Sequence, residues 1–276
     1  TVLPGSGLSS SACFEVLIGT IFNNLYNDDR FTPVELAIMG QEAENVYFGK
    51  PSGLMDQVAC AHGGIVCIDF RDRSNPVIVP VEADFKDYGY DFIVVSTGGS
   101  HANLTPDYSA IPFEMKSVAK FFGKEVLREV SYDDFIANIG QLRKFLENDR
   151  AVLRAYHYFE ENIRVDKMLA ALKNKDFKSY LNLVRQTGNS SFCYLQNVFS
   201  PASFKEQGIS SAYAMTENFL KDEGAFRVQG GGFAGTIEAY VPCDKTSAYV
   251  KHMESLFGKD CCVKLSIRNT PTKRIF

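Results

Sequence analysis

Helix-like and strand-like segments follow one another without a regular rhythm, and that order predicts an α+β fold. Three observations carry the expectation. Runs rich in β-branched residues cluster at 64–70, 76–82 and 90–97. The stretch from 107 to 187 reads as helix after helix. The steady strand–helix alternation of a doubly wound parallel sheet is missing. At 276 residues, one large or two intimate domains are expected.

Each element has its own signal. Residues 10–26 read as a helix, with Ala12, Val16, Ile18 and Phe22 among its apolar positions. Residues 33–47 read as the next. Thr32 can cap it, Pro33 suits the first helical position, and Glu35 complements the dipole of the first turn. "GLMDQVACA" reads as a short helix closed by Gly63 and Gly64. After the three strands, 107–122, 132–146, 148–174 and 176–187 show helical apolar spacing, and another helix lies near 205–222. "AFRVQGGGFAGTIEAYVP" reads as strand, glycine turn and strand. A helix over 245–257 and a strand over 261–267 finish the chain.

Composition removes several function classes. The 29 basic and 33 acidic residues include no Lys/Arg cluster of the kind that grips nucleic acid. No uninterrupted apolar run is long enough for a membrane span, so no membrane partner is expected. The seven cysteines are Cys13, Cys60, Cys67, Cys193, Cys243, Cys261 and Cys262. Their odd number and the lack of a C-x-x-C spacing argue for free thiols in a reducing, cytoplasmic setting. On a strand, adjacent Cys261 and Cys262 should point to opposite faces. The chain opens Thr1-Val2-Leu3, with a phosphate-loop-like stretch within its first ten residues and scarcely a strand to deliver it. A piece of a longer protein is therefore expected.

"LPGSGLSSSACFEVL" (3–17) sets a glycine- and serine-rich loop against an apolar helix. The first amides of a helix lack internal partners and carry partial positive charge, so such a loop suits an anion, above all phosphate. It is neither a Walker A loop nor a dinucleotide fingerprint. In "GQEAENVYFGKPSGLMDQVACAHGG" (40–64), Glu42 and Glu44 lie on a helix, two positions apart and so on different faces. Asp56 falls in the first turn of the following helix, where the dipole favours a carboxylate; taken alone it is a capping residue. The glycines around Phe233 mark a backbone passing close to another group, or a tight hairpin turn. Arg154, His157, Glu160, Glu161 and Arg164 read as a solvated or salt-bridged helix face.

"GSGLSSSA" resembles the phosphate-binding loop of the GHMP small-molecule kinases, and "GKPSGLMDQ" is similar to the galactokinase branch of that family. "VQGGGFAGTIEAYVP" (228–242) is similar to the family's C-terminal glycine motif, with Ala234 in place of a glycine. The resemblance implies a two-domain GHMP kinase fold lacking part of its amino-terminal domain, divided into 1–98 and 99–276. It implies that Gly5, Ser6, Gly7, Leu8, Ser9, Ser10 and Ser11 cradle the phosphates of ATP, and that Ser11 and Glu44 hold Mg²⁺. Asp56 would face the attacking sugar hydroxyl, as general base or as electrostatic stabiliser, and Gly53 and Tyr108 would touch the sugar. The implied reaction carries the γ-phosphate of ATP to the anomeric hydroxyl of galactose or a related sugar. Without the amino-terminal segment much of the sugar site would be missing, and this piece alone would be inactive. Two alternatives are a non-catalytic sugar and ATP sensor and a GHMP kinase for another small molecule. The second is kept open by "SAIPFE" after Tyr108, where basic residues commonly stand.

Overall fold

The computed structural model describes residues 8–49, 52–72, 74–99 and 104–273. Gly5, Ser6 and Gly7 of the expected phosphate loop lie outside these residues. The chain packs as two units, one running up to Asp84 and taking in the residues from Ser266 onward, the other spanning Phe85–Leu265.

The first unit begins with helix α1 (Ser10–Tyr26). Helix α2 (Pro33–Glu42) starts as its sequence requires. The Thr32 hydroxyl accepts from the Glu35 N–H, and the Glu35 carboxylate accepts from the Thr32 N–H at 2.7 Å. A reciprocal cap of this kind is worth about 1 kcal/mol. The helix expected over 33–47 does not stay α-helical. From Ala43 to Tyr47 it widens into a π turn. Helix α3 (Met55–His62) ends at Gly63, whose φ of 69° is open to glycine at no steric cost. Val16 of α1, Ala37 of α2, and Leu54, Val58 and Ala61 around α3 form the buried core of this unit. Strands β1 (Ile65–Asp69) and β2 (Val77–Val81) pair antiparallel as a two-stranded sheet. The C-terminal segment returns to α3: the Gly64 N–H donates to Arg268 O at 2.7 Å, and the Thr272 hydroxyl donates to Cys60 O at 2.9 Å.

The second unit is built on an antiparallel sheet of order β4-β5-β3-β6, formed by β3 (Tyr90–Ser96), β4 (Ala225–Gln229), β5 (Thr236–Pro242) and β6 (Cys262–Leu265). Helices α8 (Gly208–Leu220) and α9 (Thr246–Phe257) supply Ile209, Leu220, Tyr249 and Met253 to the core under this sheet. A second cluster joins helices α4 (Thr105–Phe121), α5 (Tyr132–Leu146) and α6 (Asp149–Lys173), with Phe135 and Leu142 fully buried. Burying a side chain of that size stabilises by about 1.5–3 kcal/mol. Helix α7 (Phe177–Ser190) runs into a second π turn, Ser191–Leu195. In the packing β3 belongs with the second unit, where it pairs with β5 on one side and β6 on the other.

Two side-chain expectations are resolved. Of the solvated and salt-bridged readings of the α6 face, the salt-bridged one holds for Arg154 and Arg164, which are also buried: Arg154 Nη1 lies 2.9 Å from Glu114 Oε2, and Arg164 meets Glu161. Cys261 and Cys262 do not diverge. Cys261 lies just before β6, after Asp260 at φ 62°, so strand alternation does not govern it, and the two sulfurs are 3.7 Å apart.

Candidate active site

Serine often caps a helix with its own hydroxyl, yet Ser9 does not. It adopts the left-handed conformation (φ 53°, ψ 51°), and its side chain makes no cap on α1. Its hydroxyl reaches instead to Asp56 Oδ2, 2.6 Å away, in the first turn of α3. Two residues on, the Ser11 hydroxyl donates to Glu44 Oε1 at 2.7 Å. Among the described residues the first helical bond of α1 runs from the Cys13 N–H to Ser9 O, so the amides of Ser10, Ser11 and Ala12 have no acceptor within the helix itself. No acidic residue lies in that first turn to neutralise the dipole.

The π turn sets which acid meets Ser11. Glu44 is buried within it, whereas Glu42, at the end of α2, is exposed. Gln41 Nε2 donates to Ser52 O at 3.0 Å, and the Ser52 N–H donates to Asn45 Oδ1 at 2.6 Å. These bonds pin the turn that carries Gly53, and a side chain at 53 would meet nothing within 4 Å. Cys60 lies one turn beyond Asp56 on α3. Burial first, then the neighbouring Cys13 thiol and Asp56 carboxylate, push its thiol up to about 11.

In the second unit the glycine turn between β4 and β5 is gripped from two sides. Asn197 O accepts from the Phe233 N–H at 2.5 Å, and Asn197 Nδ2 donates to Gly231 O at 3.1 Å. From α4, the Tyr108 hydroxyl donates to Gly232 O at 2.9 Å, and its ring stands edge-on to Phe233, 5.3 Å between centroids. Burial foremost, then the Asp107 carboxylate, raises the Tyr108 phenol above its ordinary value. Asp107 itself accepts from the Ser200 hydroxyl at 2.6 Å. Behind this, Arg154 donates both to Glu114 on α4 and to Leu195 O, tying α4 to the second π turn. Burial alone would raise Glu114, but hydrogen bonds from Arg150 and the charge of Arg154 outweigh it and hold the carboxyl below its usual value.

Residues 1–64 match the family model described as "GHMP kinases N terminal domain". The galactokinase of Actinobacillus pleuropneumoniae serotype 3 (strain JL03) is 31% identical over 269 residues, covering 96% of this chain and 65% of its own length. The galactokinase of Glaesserella parasuis serovar 5 (strain SH0165) is 32% identical over 258 residues, covering 92% of this chain and 63% of its own length. The chain thus spans a little under two thirds of the length of these curated relatives. The structure of Lactococcus lactis galactokinase complexed with galactose superposes with a TM-score of 0.77 at 25% identity, over 98% of this chain and 68% of that one. L. major mevalonate kinase shares the fold at a TM-score of 0.62 and 17% identity.

Residues 1–64 are similar to the amino-terminal domain of the GHMP kinases, and the chain has the GHMP kinase fold. Within that fold Ser9, Ser11, Glu44 and Asp56 come together in the first unit as two hydrogen-bonded pairs. Tyr108 and the glycine turn meet in the second. Three residues joined to these GHMP kinase motifs went unread in the sequence. Gln57 and Glu15 are bonded into the Ser11–Glu44 pair, and Asn197 clasps the glycine turn. Glu15 carried a signal, since it lies four residues after Ser11 and so on the same helix face. Asn197, inside "SFCYLQNVFS", carried none.

The donor set also speaks to a metal. No group of three or more His, Cys, Asp or Glu able to hold an ion is present among the described residues. Ser11 and Glu44 offer two hard oxygen donors. That is too few for a protein-built cage, but it fits an ion held mainly by phosphate oxygens and water, as Mg²⁺ is. No described helix is long and apolar enough to cross a membrane.

Proposed function

We propose that the intact protein is an ATP-dependent sugar kinase that carries the γ-phosphate to the anomeric hydroxyl of galactose or a close relative. The observation that supports this most is the double pairing at the start of α1: Ser9 with the α3 carboxylate and Ser11 with the buried Glu44. One short helix start thereby gathers amide donors for phosphate, oxygen donors for a cation and a carboxylate for the nucleophile. The galactokinase relatives and the galactose-bound neighbour support the choice of sugar.

In this reading the loop ending at Leu8, Ser9, Ser10 and Ser11 binds the phosphates through backbone amides, as the resemblance gives also for Gly5, Ser6 and Gly7. Ser11 and Glu44 would hold the magnesium ion. When bound, that ion offsets the charge of the β- and γ-phosphates. Asp56 faces the sugar hydroxyl. The Ser9 hydroxyl fixes one of its carboxylate oxygens, so the group is already oriented when substrate arrives. Gly53 and Tyr108 are the proposed sugar contacts. The Tyr108 oxygen, though it donates to Gly232, can still accept from a sugar hydroxyl. ATP and the sugar are the proposed partners.

Asp56→Ala in the intact protein should cut sugar-dependent ADP release by about 10²–10⁴-fold, with nucleotide binding retained. A variant turning over at the wild-type rate would remove the assignment. A panel of sugars in the same assay identifies the substrate.

A further inference from the structure

A primary amide has two N–H donors, and a carboxylate can only accept them. Gln57, on α3, is 1% exposed and spends its Nε2 on two carboxylates at once. It lies 3.1 Å from Glu44 Oε2 and 3.1 Å from Glu15 Oε2. Both partners being acceptors, the amide has one workable orientation. That orientation leaves its own Oε1 buried without a hydrogen-bond partner. A buried amide selected for packing alone would not strand an acceptor in this way.

The surrounding backbone is shaped for the contact. A Cβ at Gly40 of α2 would come within 3.3 Å of Glu15 Cβ and 3.5 Å of Gln57 Cγ, so a larger residue there would press on both partners. The outcome is a chain of bonds through the first unit: Ser11 to Glu44, Glu44 to Gln57, Gln57 to Glu15. Both ends of the chain lie on one face of α1.

The geometry points to Gln57 as a positioning residue for the metal ligand Glu44, with Glu15 as a second carboxylate held behind the first. Gln57 fixes Glu44 through Oε2 and so keeps Oε1 turned toward Ser11. The inference rests on the proposed reading that Ser11 and Glu44 hold the magnesium of a bound nucleotide.

Binding, not turnover, tests it. The probe is Mn²⁺ with ADP, followed by electron paramagnetic resonance on the intact protein. Metal-free ADP binding in EDTA is measured in parallel. Gln57→Met keeps the length and removes the donors. Its Kd for the manganese–ADP complex should rise about 10-fold or more, and that for metal-free ADP by less than about 2-fold. If Gln57→Met does not fold, Gln57→Asn, whose shorter amide cannot span both carboxylates, takes its place with the same expectation. Glu15→Gln, which still accepts from Gln57, should weaken the metal complex more mildly. An unchanged manganese–ADP Kd overturns the assignment, and so does an equal loss with and without metal. Wild-type protein that binds no manganese–ADP at all would instead bring down the nucleotide reading itself, and the inference with it.

Discussion

Ser11 reaches Glu44, and Ser9 reaches Asp56, through side-chain hydroxyls that span from one segment to another. The glycine turn at 230–233 is held in the opposite way. Its backbone is bonded at the Gly231 and Gly232 carbonyls and the Phe233 amide, and Asn197 and Tyr108 press against it where no side chain fits. Phe233 is kept at φ 63°, a conformation a bulky residue tolerates only when its surroundings over-determine it. The first arrangement can lose a hydroxyl and keep its fold. The second cannot gain a methyl group without moving backbone.

The largest effect on stability should therefore come from the glycine turn. A Cβ at Gly232 (φ 82°) would fall inside contact distance of the Asn197 carbonyl oxygen and 2.7 Å from its Nδ2. Gly232→Ala should cost about 3 kcal/mol in urea unfolding, from strain and clash together. A cost near zero would mean that Asn197 yields easily and that the contrast drawn here is false. Ser11→Ala sharpens the other side. Ser11 is exposed, so unfolding should change by about 1 kcal/mol or less, while binding of magnesium–ADP weakens measurably. A large stability loss without a binding change would make the Ser11–Glu44 bond a structural one.

The last effect is silent at neutral pH and appears only in the alkaline range. Cys60 holds its proton up to about 11 in the folded state, above the ordinary 9.0. The folded state thus binds the proton more tightly than the unfolded one. The corresponding stability is complete below pH 9 and is lost as pH rises through about 11. Cys60→Ala should flatten that part of the stability profile, measured by urea midpoints across the alkaline range.

Much of the molecule was legible because local chemistry and final structure agree. Thr32, Pro33 and Glu35 start α2 where their side chains require, and the apolar periodicity of 132–146 is α5 as formed. The pairing of strands was not legible. β1 and β2 read like β3, yet they form a separate two-stranded sheet, because register and partners are set by what each strand covers. The candidate site was half readable. Asp56 and Glu44 stand in motifs that suggest their roles, whereas Gln57, though it closes "GKPSGLMDQ", acquires its partners only when α1, the π turn and α3 pack together. Cys261 and Cys262 escaped the alternation rule by one residue at a strand edge.

The widened turn from Ala43 to Tyr47 makes one further demand. A π turn carries one residue more than an α turn would, and trimming that residue would swing everything after it by about 100° around the axis. This stretch can therefore accept replacements at its solvent-facing positions more readily than a change in length. Homologues and engineered variants alike should vary here by exchange, and insertions or deletions should be rare between 43 and 47.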